Sequence, residues 1–159
     1  MRKAFTMIEL IFVIVILGIL AAVALPKFIG VAEQAREGNL KSFTGTLNRT
    51  IGPALWSKAV SNDGTGKIAN LPAADVNLSK YTDIPEVVDE YNLSRCNSAG
   101  NAVVININKS KMGGDYDYFI TCKDGTASEA PVFKLYKLNT TTDQNITNGT
   151  IPSNAIEVQ

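Results

Sequence analysis

The stretch that decides the fold runs from residue 4 to residue 26, AFTMIELIFVIVILGILAAVALP. Residues 5–25 would form a helix of about 31 Å, which matches a hydrocarbon core of roughly 30 Å. Glu9 is the only charged residue in this run. An unpaired acid at bilayer depth costs on the order of 2.5 kcal/mol. The stretch therefore predicts a membrane-spanning helix in which Glu9 requires a cation or a proton.

The charges around the apolar run predict its orientation. Arg2 and Lys3 precede it with no acidic residue nearby, which places the N-terminus in the cytoplasm and the remainder outside. The 159 residues allow one modest domain beside the membrane helix. The formal net charge is 0, from 15 basic and 15 acidic residues, and no basic patch indicates nucleic-acid binding.

A recognisable motif surrounds Glu9. The basic leader MRKA is followed by Phe5-Thr6-Met7-Ile8-Glu9-Leu10, an unbroken apolar run, and then Pro26. In these features the chain resembles the type IV pilin and type II secretion pseudopilin family, over about residues 1–30. The family usually has glycine before its cleavage site, where this chain has Ala4.

The resemblance implies a maturation path. A prepilin peptidase would cut between Ala4 and Phe5 and methylate the new amino group of Phe5. Mature subunits would then pass through an inner-membrane assembly platform into a periplasmic or cell-surface filament. Its partners there would be copies of itself and related pilins, with the hydrophobic helices packed at the centre.

The same resemblance implies a role for Glu9 in assembly. In the family, the corresponding acid neutralises the N-terminal amine of a neighbouring subunit, and such a pair attracts strongly in a medium of low dielectric. Phe5 and Glu9 are also four residues apart, on one helical face. The spacing therefore allows a bond within one chain as well.

An ordinary secretory signal is the alternative interpretation. Ala22-Val23-Ala24 fits a signal-peptidase site, and a cut before Leu25 would release a secreted binding module. An uncut chain would leave such a module tethered to the membrane. Glu9 near the start of the run and the length of the run argue against a plain signal. The sequence thus favours a structural filament subunit.

After Pro26 the helical pattern continues as an amphipathic one. Pro26 and Pro53 should kink the helix, and four glycines weaken it further, so we expect bending or partial melting when subunits pack. The expected core stripe comprises Leu40, Phe43, Leu47, Ile51 and Leu55. The predicted organisation is a leader (1–4), a transmembrane or filament-core helix (5–25), its amphipathic continuation (26–60) and a C-terminal globular α/β region (61–159).

The globular region carries strand signals with turn residues between them. The predicted strands are residues 102–108, 116–122 and 132–138, with an edge strand at 155–158. Val103, Ile105 and Ile107 are expected on one face. A short helix is predicted within 83–91, and an exposed loop over 139–149. The predicted fold class is α+β and pilin-like: a long N-terminal helix packed on a small antiparallel sheet.

Cys96 and Cys122 lie in the part predicted to be outside the cytoplasm, where disulfides persist. We expect a disulfide between them, with two separate buried thiols as the alternative. Zinc is disfavoured because the chain has no histidine.

The sequence predicts that the chain is not an enzyme and needs no cofactor or metal. It has no histidine, no G-x-S-x-G motif and no Walker loop. Asp115, Asp117 and Asp124 could gather calcium, as in some secretion pseudopilins, but they lack EF-hand spacing. We expect solvated turn acids. Trp56 is expected to be a core or interfacial anchor.

Overall fold

The computed structural model describes residues 6–141, 146 and 149–159, and the side chains of residues 26–29 lie outside this description. Its first part is helical from Met7 to Asp63. Helix α1 spans Met7–Thr46, a π-helical turn spans Leu47–Ile51, and helix α2 spans Gly52–Asp63. Gly64 ends α2 with φ 73°, in the left-handed region that glycine adopts easily. The predicted long helix is present and ends slightly later than expected.

The two prolines have different effects on this helix. Helix α1 continues through Pro26 without ending. Pro53 has no N–H to donate, and its ring would crowd the carbonyl of Arg49 in a regular helix. The backbone widens before it instead, and Gly52 N–H donates to the Leu47 carbonyl. The π-helical turn therefore absorbs Pro53 without breaking the helix, while melting inside a filament stays a prediction.

The predicted core stripe is buried along α1, the π-helical turn and α2. Leu40, Phe43, Leu47, Ile51 and Leu55 are all buried, and Phe43 is the most accessible at 6%. They belong to one cluster with the inward side chains of the sheet. This cluster is the main core of the domain.

The sheet is an antiparallel meander with short edge strands. Its strands lie side by side in chain order. They are β1 Glu90–Tyr91, β2 Ala102–Ile107, β3 Tyr116–Lys123, β4 Val132–Asn139 and β5 Ile156–Glu157. A single-turn helix, α3 Lys109–Met112, connects β2 to β3. The predicted α+β class is confirmed.

The prediction of a helix within residues 83–91 is wrong. The chain makes a turn in which Val88 N–H donates to the Pro85 carbonyl at 2.9 Å, and then it forms β1 beside β2. The few apolar residues here are too short a run for a stable helix. The open edge of β2 offers backbone partners to an extended chain.

The expectation that Val103 shares a face with Ile105 and Ile107 is also wrong. The pairing of β2 with β3 shifts between Val103 and Ile105, as an extra residue in one strand produces. Ile105 and Ile107 face the main core. Val103 packs on the opposite face of the sheet with Phe119 and Leu138.

The loop predicted to be exposed over residues 139–149 is not exposed at Ile146, which packs on this opposite face. Ile146 is half-buried and packs, with Ile151, on the Val103 cluster. The buried side chain of Asn106 accepts from Ile146 N–H at 3.1 Å and donates to its carbonyl at 3.3 Å. Ile146 is therefore held by both apolar packing and paired hydrogen bonds. Residues 142–145, 147 and 148 of the predicted loop lie outside the described residues.

A second asparagine joins the helix to the sheet. Asn48 accepts from Phe133 N–H and donates to its carbonyl, each at 2.8 Å. The amide thus pairs with the edge of β4 as another strand would.

We expect Asn48→Ala to destabilise the domain by roughly 1 to 3 kcal/mol, because two backbone groups of Phe133 lose their partner. Chemical unfolding of the full-length protein in detergent micelles measures this. Asn39→Ala, on the exposed face of α1, should change the unfolding free energy by no more than about 0.5 kcal/mol. Equal effects from the two variants would contradict the role of Asn48.

The two cysteines form a disulfide, with Cα atoms 4.9 Å apart and a separation of 26 residues. It joins the segment before β2 to the end of β3. Beside it, the buried Asp124 accepts from Ile68 N–H at 2.7 Å. These links hold the irregular segments after α2 against the sheet.

Replacing Cys96 and Cys122 by serine should lower the unfolding free energy by roughly 3 to 4 kcal/mol, because the unfolded chain loses a closed loop. Urea unfolding with and without reductant measures this loss. Reductant should destabilise the wild type and leave the double variant unaffected.

Candidate functional site

The apolar N-terminal part of α1 is not covered by the rest of the chain that the structure describes. Met7–Leu25 is 19 residues long and 0% of it is buried. It is the one span among the described residues that is long and apolar enough to cross a membrane. Its length of roughly 28 Å is close to the thickness of a hydrocarbon core. The segment therefore needs a bilayer or other apolar helices around it.

Glu9 closes the start of this helix through a pair of reciprocal contacts with Thr6. The Glu9 N–H donates to Thr6 Oγ1 at 3.4 Å. Thr6 N–H and Oγ1–H donate to Glu9 Oε2 at 3.0 and 2.9 Å. This arrangement is a capping box, which satisfies backbone N–H groups that the helix leaves without partners.

The capping box leaves part of the Glu9 carboxylate unused. Both donors of Thr6 go to Oε2, and Oε1 has no hydrogen bond to any residue that the structure describes. An acid in the first turn is favoured by the helix dipole. The net negative charge is nevertheless retained beside exposed apolar side chains. Glu9 can still accept a further donor or a cation.

The capping role of Thr6 was not predicted from the sequence, although Thr6 belongs to the motif around Glu9. A threonine three residues before a glutamate, at the start of an apolar run, is the signature of a capping box. The signal for its role was therefore present in the sequence.

Comparisons with known proteins find likeness in the N-terminal part of the chain. Residues 1–25 match the family model described as the prokaryotic N-terminal methylation motif. Over 38 residues the chain is 53% identical to the type IV narrow pilus major component PilA5 of Thermus thermophilus. That alignment covers 24% of this chain and 33% of PilA5. The N-terminal segment of this chain therefore carries the motif of the type IV pilin and pseudopilin family.

The likeness to PilA5 is confined to a minority of both proteins, and the match spans about one third of the length of that relative. No solved structure matches the chain. The pilin-family assignment therefore rests on the N-terminal segment.

The remaining predicted site residues fall in different places. Ala4 and Phe5, the predicted cleavage and methylation residues, lie outside the described residues. Cys96 and Cys122 are joined far along the chain from Glu9.

The acids considered for calcium do not come together. Asp117 is buried at the start of β3, where it accepts from Lys109 N–H at 2.7 Å and from Thr140 Oγ1 at 2.6 Å. Asp124 is buried just after the other end of that strand. Asp115 is exposed. Among the described residues no group of three or more His, Cys, Asp or Glu could hold a metal. The expectation of solvated turn acids is wrong for Asp117 and Asp124, because both cap backbone N–H groups.

Polar contacts fix the direction in which the apolar segment leaves the domain. Arg36 donates to the Met112 carbonyl at 2.7 Å. Glu37 accepts from Tyr118 Oη at 2.8 Å and from Lys137 Nζ at 3.2 Å. A Cβ at Gly114 would overlap the carboxylate of Glu33. These contacts lie at the end of the sheet nearest the apolar segment.

The same contacts shift the pKa values of Glu37 and Tyr118. Burial would raise the pKa of the Glu37 carboxyl, but hydrogen bonds from Tyr118, Lys137 and Lys41 hold that pKa below its ordinary value of 4.5. Burial, together with the Glu37 carboxylate, raises the pKa of the Tyr118 hydroxyl. Both shifts favour the ionised acid beside a neutral phenol.

Because the pKa of Glu37 is lowered on folding, its contribution to stability is present above pH 4.5 and lost as the pH falls below that value. The unfolding free energy of the full-length protein, measured in detergent micelles from pH 7 downwards, should therefore decrease in that acidic range. In the Glu37→Gln variant, the unfolding free energy should fall less steeply as the pH decreases. Glu86→Gln, which alters an exposed acid, should leave the decrease unchanged. A Glu37→Gln variant with the wild-type pH profile would contradict this assignment.

Proposed function

We propose that the chain is a structural subunit of a type IV pilus or of a type II secretion pseudopilus, with no catalytic role. The observation that carries the proposal is the Glu9 carboxylate on a wholly exposed apolar helix. A soluble protein would bury such a face, and a simple membrane anchor has no use for an acid in it.

The proposed maturation uses the N-terminal motif. A prepilin peptidase removes residues 1–4 on the cytoplasmic side and methylates the amine of Phe5. Before assembly, the chain crosses the inner membrane once through residues 5–25, with its N-terminus in the cytoplasm. Residues 26–60 and 61–159 then remain outside and form the helical continuation and the globular region.

In the proposed filament, the apolar helices of neighbouring copies and of related pilins cover one another. Glu9 then meets the N-terminal amine of a neighbouring subunit as that subunit docks at the assembly platform. The oxygen that Thr6 leaves unused supports this step, because a cation can bind there without disrupting the capping box. Pairing removes the cost of an isolated charge in an apolar medium.

The processing step is tested by the intact mass of protein purified from membranes. We expect the loss of residues 1–4 and the gain of one methyl group. An N-terminus at Leu25, or an uncut chain, would instead support a secreted or membrane-tethered binding module.

The assembly step is tested by separating the charge of Glu9 from its capping bond. Glu9→Gln keeps an acceptor for Thr6, since glutamine also serves in a capping box, but it removes the charge. We expect Glu9→Gln and Glu9→Ala both to insert into membranes and to reduce sheared filament yield by about tenfold or more, in line with loss of a buried pair. Thr6→Ala, which removes the cap and keeps the charge, should retain most filaments.

If Thr6→Ala abolished filaments and Glu9→Gln did not, the role of Glu9 would be to cap its own helix. Carbonate extraction of membranes provides the control for insertion of every variant.

A further inference from the structure

A cleft lies at the end of the domain farthest from the apolar segment. Its volume is about 280 Å³, and its walls include Lys67, Asn70, Ser98, Lys123 and Thr126. Residues 64–70 follow the C-terminal end of α2, and Lys123 ends β3, whose other end lies near Glu37. The cleft therefore lies away from the bilayer when the apolar segment is in a membrane.

The walls of the cleft are held in place before any ligand arrives. The Cys96–Cys122 disulfide forms part of them. Asp124 N–H donates to the Asn97 carbonyl at 2.8 Å, and the Trp56 indole N–H donates to the Thr126 carbonyl at 2.7 Å. A preformed site loses little conformational entropy on binding.

Two ammonium groups in the cleft have no counter-ion among the residues that the structure describes. Lys67 and Lys123 make no ion pair with any residue in the described parts of the chain, whereas five other lysines do: Lys41, Lys58, Lys111, Lys134 and Lys137. The stem of Lys123 is backed by Gly100, where a Cβ would lie 3.0 Å from Lys123 Cβ. Lysine ammonium groups bind phosphate, sulfate and carboxylate as point charges.

One acid also lines the cleft, and its charge is already engaged. Asp124 is 7% exposed. Its Oδ1 accepts from Ile68 N–H at 2.7 Å and from Gly125 N–H at 2.9 Å. The two lysines exceed this acid by one charge, so the lining favours an anion.

The other lining groups distinguish between kinds of anion. The Asn70 amide oxygen and the hydroxyls of Ser98 and Thr126 suit the hydroxyls of a sugar. The Asn97 amide serves the wall itself, since it donates to Asn101 Oδ1 at 3.0 Å and accepts from Gly100 N–H at 2.8 Å. The lining has no aromatic side chain among the described residues, so it offers no platform for stacking nucleic-acid bases. The volume is also small compared with a groove that follows a nucleic-acid backbone.

We propose that this cleft binds an acidic saccharide, with its sulfate, phosphate or carboxylate group between Lys67 and Lys123 and its hydroxyls on the amide-bearing and hydroxyl-bearing wall. The site acts in a single subunit and does not depend on filament formation. Its failure and the failure of the proposed assembly function are therefore distinguishable.

The test is calorimetric titration of the full-length chain, in non-ionic detergent micelles, with a heparin-derived tetrasaccharide. Saturable binding of one tetrasaccharide per chain is expected. The double variant Lys67→Gln/Lys123→Gln should weaken it by about tenfold or more, because both charge-assisted contacts to the anion are lost. The matched double variant Arg49→Gln/Lys80→Gln removes the same charge from exposed positions outside the cleft. It should alter the affinity by less than about twofold.

Three further titrants complete the test: a neutral tetrasaccharide, inorganic sulfate and a single-stranded oligonucleotide. The proposal requires each to bind at least about tenfold more weakly than the acidic tetrasaccharide, a difference of about 1.4 kcal/mol. It is overturned if any of them binds as tightly, if the tetrasaccharide does not saturate, or if both double variants lose affinity equally. An unchanged thermal unfolding midpoint for both double variants shows that the fold is retained.

Discussion

One uninterrupted helical backbone carries both the exposed apolar segment and the core stripe of the domain. The segment that requires an apolar environment and the segment that supports the sheet are therefore joined without a loop. Where α1 reaches the sheet, hydrogen bonds hold the two together. Arg36 donates to the Met112 carbonyl of α3, and Glu37 accepts from side chains of β3 and β4. The orientation of the globular region follows from these contacts and from the regular hydrogen bonds of α1.

Glu9 shows how one carboxylate can serve two requirements. Within its own chain it completes the helix start, since Thr6 and Glu9 satisfy each other reciprocally. That solution supplies hydrogen bonds but no positive charge. In an apolar medium the remaining charge is the larger cost, because neutral donors compensate an ion only in part. The capping box explains how the helix start holds the acid within one chain, and the unused oxygen supports the further partner that we propose for Glu9.

The parts of the fold that were predictable from the sequence are those with a clear period. The apolar run, the stripe from Leu40 to Leu55 and the three central strands each repeat a helical or alternating pattern. The errors lie where distant residues decide. The open edge of β2 determines the extended chain at Glu90, the bulge after Val103 reverses its face, and Asn106 holds Ile146. At the candidate site, the Thr6–Glu9 cap was readable from local spacing, whereas no local pattern shows that Asp124 caps Ile68.

The segments between α2 and β2 are held mainly by side-chain links, whereas the helix is held by its backbone hydrogen bonds. They contain only short 3₁₀ turns and the two-residue strand β1, so few of their backbone groups are paired by regular structure. Side chains supply what is missing: the Cys96–Cys122 disulfide fixes the segment before β2 to β3, and Asp124, just after β3, caps Ile68. Each such link depends on a few residues and leaves the solvent-facing positions between them unconstrained. The end of the domain farthest from the apolar segment can therefore carry charged groups such as Lys67, which forms no ion pair with any described residue, without cost to the helix that carries the apolar segment.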